Sequence, residues 1–441
     1  MNNISVSKNV TLHKAILKIA VPSVLSNITV PLLSFVDIAI VGHFGGASFV
    51  AAIAVATAII NTIYWAFGFL RMGTTGITSQ AYGKNSKREI KASLFKSLVI
   101  SLVIGLMLLV SGKALFNVLL TIMHTNNSVH SLAEEYFNIC IWGAVPTLML
   151  YSLNGWFIGM QNSKYPMYVA ISQNIINIVL SLFFVYAMKA GISGVALGTV
   201  ISQFCAVAMS MFILKKRYGE YIKRLLHTPI GKLSEWKEFF SVNTSIFFRT
   251  VCLISVSLFF ISYGSRQGEV VLAANTLLMQ FFVIFSYFID GFAFAAEAIV
   301  GKNIGAKDKE GVRHSVKALF TWGGALSLLF TVTYIIGYEF IISLLTNDAE
   351  TINMAYVFST WACIIPVISF SAFLWDGIFI GATATLQMFI SMFIATTVFF
   401  ITYNLLYTAY GNHSLWFAFI LYLFSRGVVQ TLQWKYVIFK E

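Results

Sequence analysis

Six ionisable side chains lie inside long apolar segments of the sequence, where a charge is costly unless it is paired or functional. They are Asp37, Arg71, Arg249, Asp290, Glu297 and Asp376. Asp37 is the clearest candidate for chemistry, because no basic residue is near it in the sequence. A carboxylate removed from water retains a proton more readily, so Asp37 is suited to exchange a proton for an organic cation. The alternatives are an ion pair with a distant arginine and a helix-capping role near the membrane interface.

Two prolines, Pro22 and Pro31, precede Asp37; they weaken the local helical hydrogen bonding and allow a bend, which the sequence does not decide. Further along the chain, Asn174, Asn177 and Ser181 are spaced to share one helix face. Amide and hydroxyl groups can ligate a cation or orient a carboxylate, although they also join helices in membranes. The neighbouring spans add Asn154 and Thr199 as candidates for the same cavity.

The remaining acidic residues are more typical of a structural or gating role than of substrate binding. Asp290 and Glu297 are two helical turns apart and share a face, and Asp376 lies in another apolar segment. We interpret all three as ion-pair or gate residues. Arg71 and Arg249 are their candidate partners at membrane depth, and the sequence does not assign the pairs.

The composition defines the class of protein that holds these residues. Of 441 residues, 58% are hydrophobic and 10% are charged, and the mean hydropathy is +0.81. These values exclude a disordered chain, a disulfide scaffold and an ordinary soluble enzyme. Twelve apolar runs are long enough to cross a bilayer as helices. They lie at 17–41, 48–70, 93–121, 136–158, 166–188, 191–214, 239–262, 271–298, 316–345, 352–380, 385–408 and 414–434.

The distribution of basic residues predicts the orientation. With the N-terminus inside, 24 of the 29 Lys and Arg fall in inner segments and 3 at outer ends. This predicts a multi-pass protein of the cytoplasmic (inner) membrane with both termini in the cytoplasm. The net charge of +12 is therefore attributed to inner loops and not to nucleic-acid binding. No cofactor, metal site or cleaved signal peptide is predicted.

The sequence also contains an internal repeat. Gly155 and Gly159 match Gly377 and Gly381 at one constant shift along the sequence, and 82–85 resembles 300–303 at a similar shift. Both copies lie on the same predicted side, so the repeats are parallel. We expect an all-α membrane protein with twelve transmembrane helices in two pseudo-symmetric six-helix bundles. The predicted divisions are an N-terminal lobe at 1–214, a basic linker at 215–237 and a C-terminal lobe at 238–441.

Five segments together resemble the multidrug and toxic compound extrusion (MATE) family, and most closely its DinF-like branch. They are VDIAIVGHFG (36–45), FLRMGTTG (69–76), GVALGTV (194–200), DGFAFAAEAIVG (290–301) and DGIFIGAT (376–383). The resemblance implies a secondary antiporter that exports amphipathic, mainly cationic compounds in exchange for H⁺ or Na⁺. It gives the coupling role to Asp37, with Asn177 and Thr199 beside it. Ser181 stands where several relatives have an acid, which favours H⁺ over Na⁺.

Two other classes of function are less favoured by the residues. A flippase for lipid-linked precursors, from the same broader superfamily, needs a strongly cationic cavity, for which Arg71 and Arg249 give thin support. An intramembrane enzyme is disfavoured because all seven histidines lie in or near loops. We expect a monomer in contact with membrane lipid that moves small amphipathic compounds by rocker-type alternating access.

Overall fold

The computed structural model describes residues 2–44, 46–123, 127–222 and 233–438, and within them the backbone forms helices and short connections without strands. The α-helices are α1 (Asn2–Phe44), α2 (Gly46–Ala66), α3 (Phe69–Gly83), α4 (Lys87–Met123), α5 (Asn127–Cys140), α6 (Ala144–Gly159), α7 (Lys164–Leu182), α8 (Gly191–Arg217), α9 (Gly219–Ile222), α10 (Leu233–Ser265), α11 (Glu269–Gly305), α12 (Lys309–Leu345), α13 (Ala349–Gly381), α14 (Thr385–Tyr410) and α15 (Asn412–Ile438).

Eleven helical stretches of the described residues are long and apolar enough to cross a membrane. They correspond to the second to twelfth predicted spans, and the first predicted span lies within α1. The predicted all-α, multi-pass fold is confirmed. α1 continues as one helix past both prolines, while the side chain of Asp37 lies outside the described residues.

Three spans have local interruptions. Phe67 and Gly68 separate α2 from α3, and a 3₁₀ turn at Ile141–Gly143 separates α5 from α6. α7 ends in a π-helical turn at Phe183–Ala187. Such π turns are rare and often accompany functional sites.

The chain forms two compact units, which we call the N-lobe and the C-lobe. The N-lobe is Leu25–Phe240, and the C-lobe combines Ser241–Glu441 with Met1–Val24. The first part of α1 therefore belongs to the C-lobe, where a Cβ added at Gly291 would meet Val24 Cγ2 at 2.4 Å and the Ala20 carbonyl oxygen at 2.8 Å. The absence of a side chain at Gly291 allows this close approach.

Equivalent glycines join equivalent helices in the two lobes. A Cβ at Gly155 in α6 would lie 2.3 Å from the carbonyl oxygen of Arg71 in α3. A Cβ at Gly377 in α13 would lie 2.3 Å from the carbonyl oxygen of Ala293 in α11. Both members of the second pair follow those of the first at the shift of the sequence repeat, so that repeat is also a repeat of helix packing.

Candidate functional site

The polar face of α7 makes a chain of hydrogen bonds to α8 inside the N-lobe. Asn177 and Ser181 are fully buried. Asn177 Nδ2 donates to Thr199 Oγ1 at 3.0 Å, and Ser181 Oγ donates to Asn177 Oδ1 at 3.4 Å. Thr199 Oγ1 in turn donates to the carbonyl oxygen of Val195 at 3.0 Å. The structure thus brings together three of the predicted site residues, from two different helices.

α7 and α8 also approach each other closely beside these hydrogen bonds. A Cβ at Gly198 would be 2.6 Å from Ser181 Oγ and 2.9 Å from the Ser181 backbone nitrogen. The π-helical turn of α7 begins at Phe183, just beyond Ser181. The position of the Ser181 hydroxyl therefore depends on a residue without a side chain at 198.

Asn174 links the same face of α7 to α1. Its Nδ2 donates to the carbonyl oxygen of Thr29 at 3.0 Å. α1 carries Asp37 further along, about 12 Å from Thr29 at the rise of an α-helix. The α7 face is thus bonded on one side to the helix of Asp37 and on the other to Thr199.

Asn154 and Arg71 complete the predicted N-lobe set. Asn154 Oδ1 is a buried acceptor with no hydrogen-bond partner among the described residues. Such an atom loses its hydration without replacement, so it favours a ligand or water that donates to it. Arg71 interacts electrostatically with the phenol of Tyr151, which lies on the same helix as Asn154. The structure therefore places the Arg71 charge beside α6.

The C-lobe lacks an equivalent polar face. At the shift of the repeat, Phe399 corresponds to Asn177 and Tyr403 to Ser181, and both aromatic side chains are fully buried. Their rings lie 5.6 Å from Phe259 and 5.1 Å from Tyr263, between centroids. An aromatic core occupies the position of the N-lobe hydrogen bonds, so the two repeats share helix packing but not chemistry.

The C-lobe instead contains a buried ion cluster centred on Asp376. Its Oδ2 accepts from both Arg249 Nη2 and Arg426 Nη2. Its Oδ1 accepts from Gln430 Nε2 at 2.7 Å. All four side chains are buried, and they come from α10, α13 and α15. Desolvation of these charges is offset by opposite charge and by hydrogen bonds, and the cluster joins three helices.

Two members of this cluster, Arg426 and Gln430, are not among the predicted site residues. Arg426 is one of the 24 basic residues assigned to inner segments, and the structure shows that it is only 3% exposed and pairs with Asp376. Gln430 was not singled out, although it follows Arg426 by one helical turn in the last apolar run. That spacing of two polar residues on one face was the available signal.

The other predicted C-lobe residues are placed as follows. Asp290, on α11, interacts electrostatically with Arg426 of α15. Glu297 is buried on the same helix, where its carbonyl oxygen would lie 2.7 Å from a Cβ at Gly381. Among the residues searched, which exclude the side chain of Asp37, no group of three or more His, Cys, Asp or Glu could hold a metal ion.

Two repeated helical bundles with a polar face in one of them are typical of membrane transporters built from internal repeats. The MatE family model matches residues 22–183 and 245–406, so it matches the chain twice, once in each half of the internal repeat. The chain belongs to the MatE family.

Individual relatives agree with this assignment. The chain is 31% identical to DNA damage-inducible protein F of Escherichia coli over 428 residues, which cover 96% of this chain and 92% of the relative. It is 24% identical to a probable multidrug resistance protein NorM of Thermotoga maritima, with coverage of 78% and 74%. A crystal structure of MATE in the bent conformation superposes with a TM-score of 0.87 at 18% identity, covering 98% of this chain and 97% of that one.

Proposed function

We propose that the protein is a secondary active multidrug antiporter, not an enzyme, that exports amphipathic, mainly cationic compounds in exchange for H⁺. The observation that carries the proposal is the hydrogen-bonded face of α7, which is bonded to α1 through Thr29 and to α8 through Thr199. The membership of the family and the naming of relatives as multidrug resistance proteins support it.

Asp37 is the proposed coupling group. In the ionised form it attracts a cationic substrate, and in the protonated form it does not. Because α1 is bonded to α7, a change of charge on Asp37 can alter the contacts of α7 with α8. Uptake of a proton from outside would release the substrate, and the empty transporter would reset and lose the proton inside. Coupling needs only that the two orientations differ in affinity for proton and substrate.

Asn177, Ser181 and Thr199 contribute oxygen atoms but no carboxylate to this site. A Na⁺ ion would therefore have Asp37 as its sole acidic ligand among the predicted site residues of the N-lobe, which favours H⁺ as the coupling ion. In the C-lobe, Arg249 and Arg426 donate to Asp376, so both cations are already paired with a carboxylate. A lipid-linked pyrophosphate would have to compete with that carboxylate, which weighs against the flippase alternative.

The protein is further proposed to lie in the cytoplasmic membrane as a monomer with both termini inside, and to move by rocker-type alternating access. The parallel repeat supports this movement, because two similar bundles can tilt around one cavity.

Inverted membrane vesicles that generate a pH gradient test the proposal. Addition of organic cations should collapse the gradient for the wild type and not for Asp37→Asn, with no dependence on Na⁺. Glu89→Gln, at an exposed pair with Lys84, is the matched carboxylate control and should behave as the wild type. Equal collapse in Asp37→Asn would contradict the mechanism. Collapse only with anionic or lipid-like compounds would favour the flippase.

A further inference from the structure

The C-lobe contains a tryptophan–histidine hydrogen bond that fastens the first part of α1 to α12. Trp322 Nε1 donates to His13 Nδ1 at 3.0 Å, and the two rings meet edge to face at 6.2 Å. Trp322 also stacks on Phe292 of α11 with 6.2 Å between ring centroids. His13 and Trp322 are half-buried, so the bond is screened from water without being sealed from it.

A second bond of the same kind joins α13 to the first turn of α15. Trp361 Nε1 donates to His413 Nδ1 at 3.1 Å. Phe358 packs edge to face on the imidazole with 4.8 Å between centroids. The adjacent Asn412 exchanges two hydrogen bonds of 2.9 Å with Asn275 of α11, which fixes the start of α15.

The two bonds lie toward opposite ends of the C-lobe. α12 begins at Lys309 and α13 at Ala349, and each tryptophan is about 20 Å along its own helix from that first residue. Only the short connection 346–348 separates these two helices, which therefore run in opposite directions. The two helices thus begin at opposite ends of the lobe. Under the predicted orientation, the His13 bond is nearer the cytoplasm and the His413 bond nearer the outside.

Both bonds require a histidine that is not fully protonated. An indole N–H can only donate, so the ring nitrogen that faces it must be an acceptor. The imidazolium ion has no acceptor nitrogen. Histidine is also the side chain whose charge ordinarily changes between pH 5 and 8. Protonation of either ring therefore removes its bond and places two donors against each other.

We propose that these two bonds are pH-sensitive latches, one for each side of the membrane. Acidification on the side of His13 would release the first part of α1 from α12, and acidification on the side of His413 would release the start of α15 from α13. The latches are separate from the proton exchange on Asp37.

Charged and titratable residues lie on the helices that form each latch. Near the His13 latch, α1 carries Lys14 and Lys18, α12 carries Arg313, His314 and Lys317, and α11 carries Asp290 and Glu297 along their lengths. Around His413, the ends of the neighbouring helices carry Asp348, Glu350, Glu269 and Arg266.

Fluorine NMR of the purified protein labelled with 5-fluorotryptophan tests the latches without any transport assay. Trp322→Phe and Trp361→Phe assign the two resonances. Both should shift between pH 8 and 5 in the wild type. His13→Gln retains an acceptor that does not titrate, so the Trp322 resonance should stop shifting while that of Trp361 still does. His413→Gln should give the reciprocal result. A wild-type Trp322 or Trp361 resonance that stays fixed over this range would overturn the proposal for that latch.

Transport then tests whether the inner latch regulates activity, a step that rests on the proposed function. In vesicles, the ratio of His13→Gln to wild-type rates should change as the pH on the cytoplasmic side falls, and His413→Gln should leave that dependence unaltered. The pH gradient acts equally on both proteins, so it cancels in the ratio. A flat ratio alongside a titrating Trp322 resonance would overturn regulation, and an absence of transport in every protein would instead count against the proposed function.

Discussion

Arg249 donates a hydrogen bond to Asp376 in the interior of the C-lobe, although the two residues are 127 positions apart in the sequence. Asp376 stands at the repeat position of Asn154, a neutral residue of the N-lobe. The same place in the two repeats therefore holds an ion cluster in one lobe and a neutral amide in the other. This difference concentrates structural charge in the C-lobe and leaves Asp37 as the proposed exchangeable charge of the N-lobe.

Removal of one partner from this cluster should destabilise the protein strongly. Arg249→Gln leaves Arg426 on Asp376 but removes one buried charge, and Asp376→Asn leaves two buried cations together. We expect a loss of about 3–5 kcal/mol for Asp376→Asn and a smaller loss for Arg249→Gln. Thermal unfolding in detergent measures both. Lys87→Gln, at the exposed pair with Glu220, is the control and should unfold as the wild type does.

The glycines of the helix repeat should not tolerate a methyl group. Gly155→Ala and Gly377→Ala each place a Cβ 2.3 Å from a backbone carbonyl oxygen, which cannot rotate away as a side chain can. We expect low yields of folded protein and a lowered unfolding temperature for both. Gly324→Ala is the matched control, because its Cβ would meet nothing within 4 Å.

The control Gly324→Ala should leave the stability unchanged or raise it by up to about 1 kcal/mol, because alanine has a higher helix propensity than glycine. Equal stability of the wild type and Gly377→Ala would show that α11 and α13 are packed less closely than we describe.

The hydrogen bonds of α7 should matter more for transport than for folding. Thr199→Val keeps the shape of the side chain but leaves Asn177 Nδ2 without its acceptor. We expect a fall in cation-driven proton release, measured in inverted vesicles, with only a small decrease in the unfolding temperature. Thr397→Val on α14 is a control of the same chemistry, because Thr397 is exposed and bonds within its own helix. If Thr199→Val transports as the wild type does, the bond to Asn177 has no part in coupling.

The start of α13 should show a pH dependence of its own. Asp348 accepts from the Thr351 backbone nitrogen at 3.0 Å and from its hydroxyl at 2.5 Å. These bonds to the Thr351 side chain and backbone hold the pKa of the Asp348 carboxyl below its usual range. A carboxyl with a lowered pKa stabilises the fold above its unfolded-state pKa, and this contribution is lost as the pH falls through the folded-state value.

Asp348→Asn retains an N-cap acceptor without the charge. Its stability relative to the wild type should therefore rise as the pH is lowered from 6 toward 3, as followed by amide hydrogen exchange at residues 349–352. A difference that does not vary with pH would contradict the assigned role of the Asp348 charge.

The sequence alone determined the membrane class, the helix content, the repeat and the residues of the α7 face. These features depend on local quantities: the length of an apolar run, the spacing of side chains on a helix, and the recurrence of Gly155 and Gly159 at Gly377 and Gly381. The convergence of Asn177 with Ser181 follows from one helical turn, so it too is visible in the chain.

Only the tertiary structure decided which charges pair and which lobe the first part of α1 joins. Arg249, Asp376 and Arg426 come from three helices, and their pairing depends on helix rotations that no local spacing encodes. The first part of α1 joins the C-lobe because Gly291 leaves room for Ala20 and Val24, a contact between residues far apart in the sequence. Apolar faces in a membrane are interchangeable toward lipid, so steric fit and buried polar contacts select the partner of each helix.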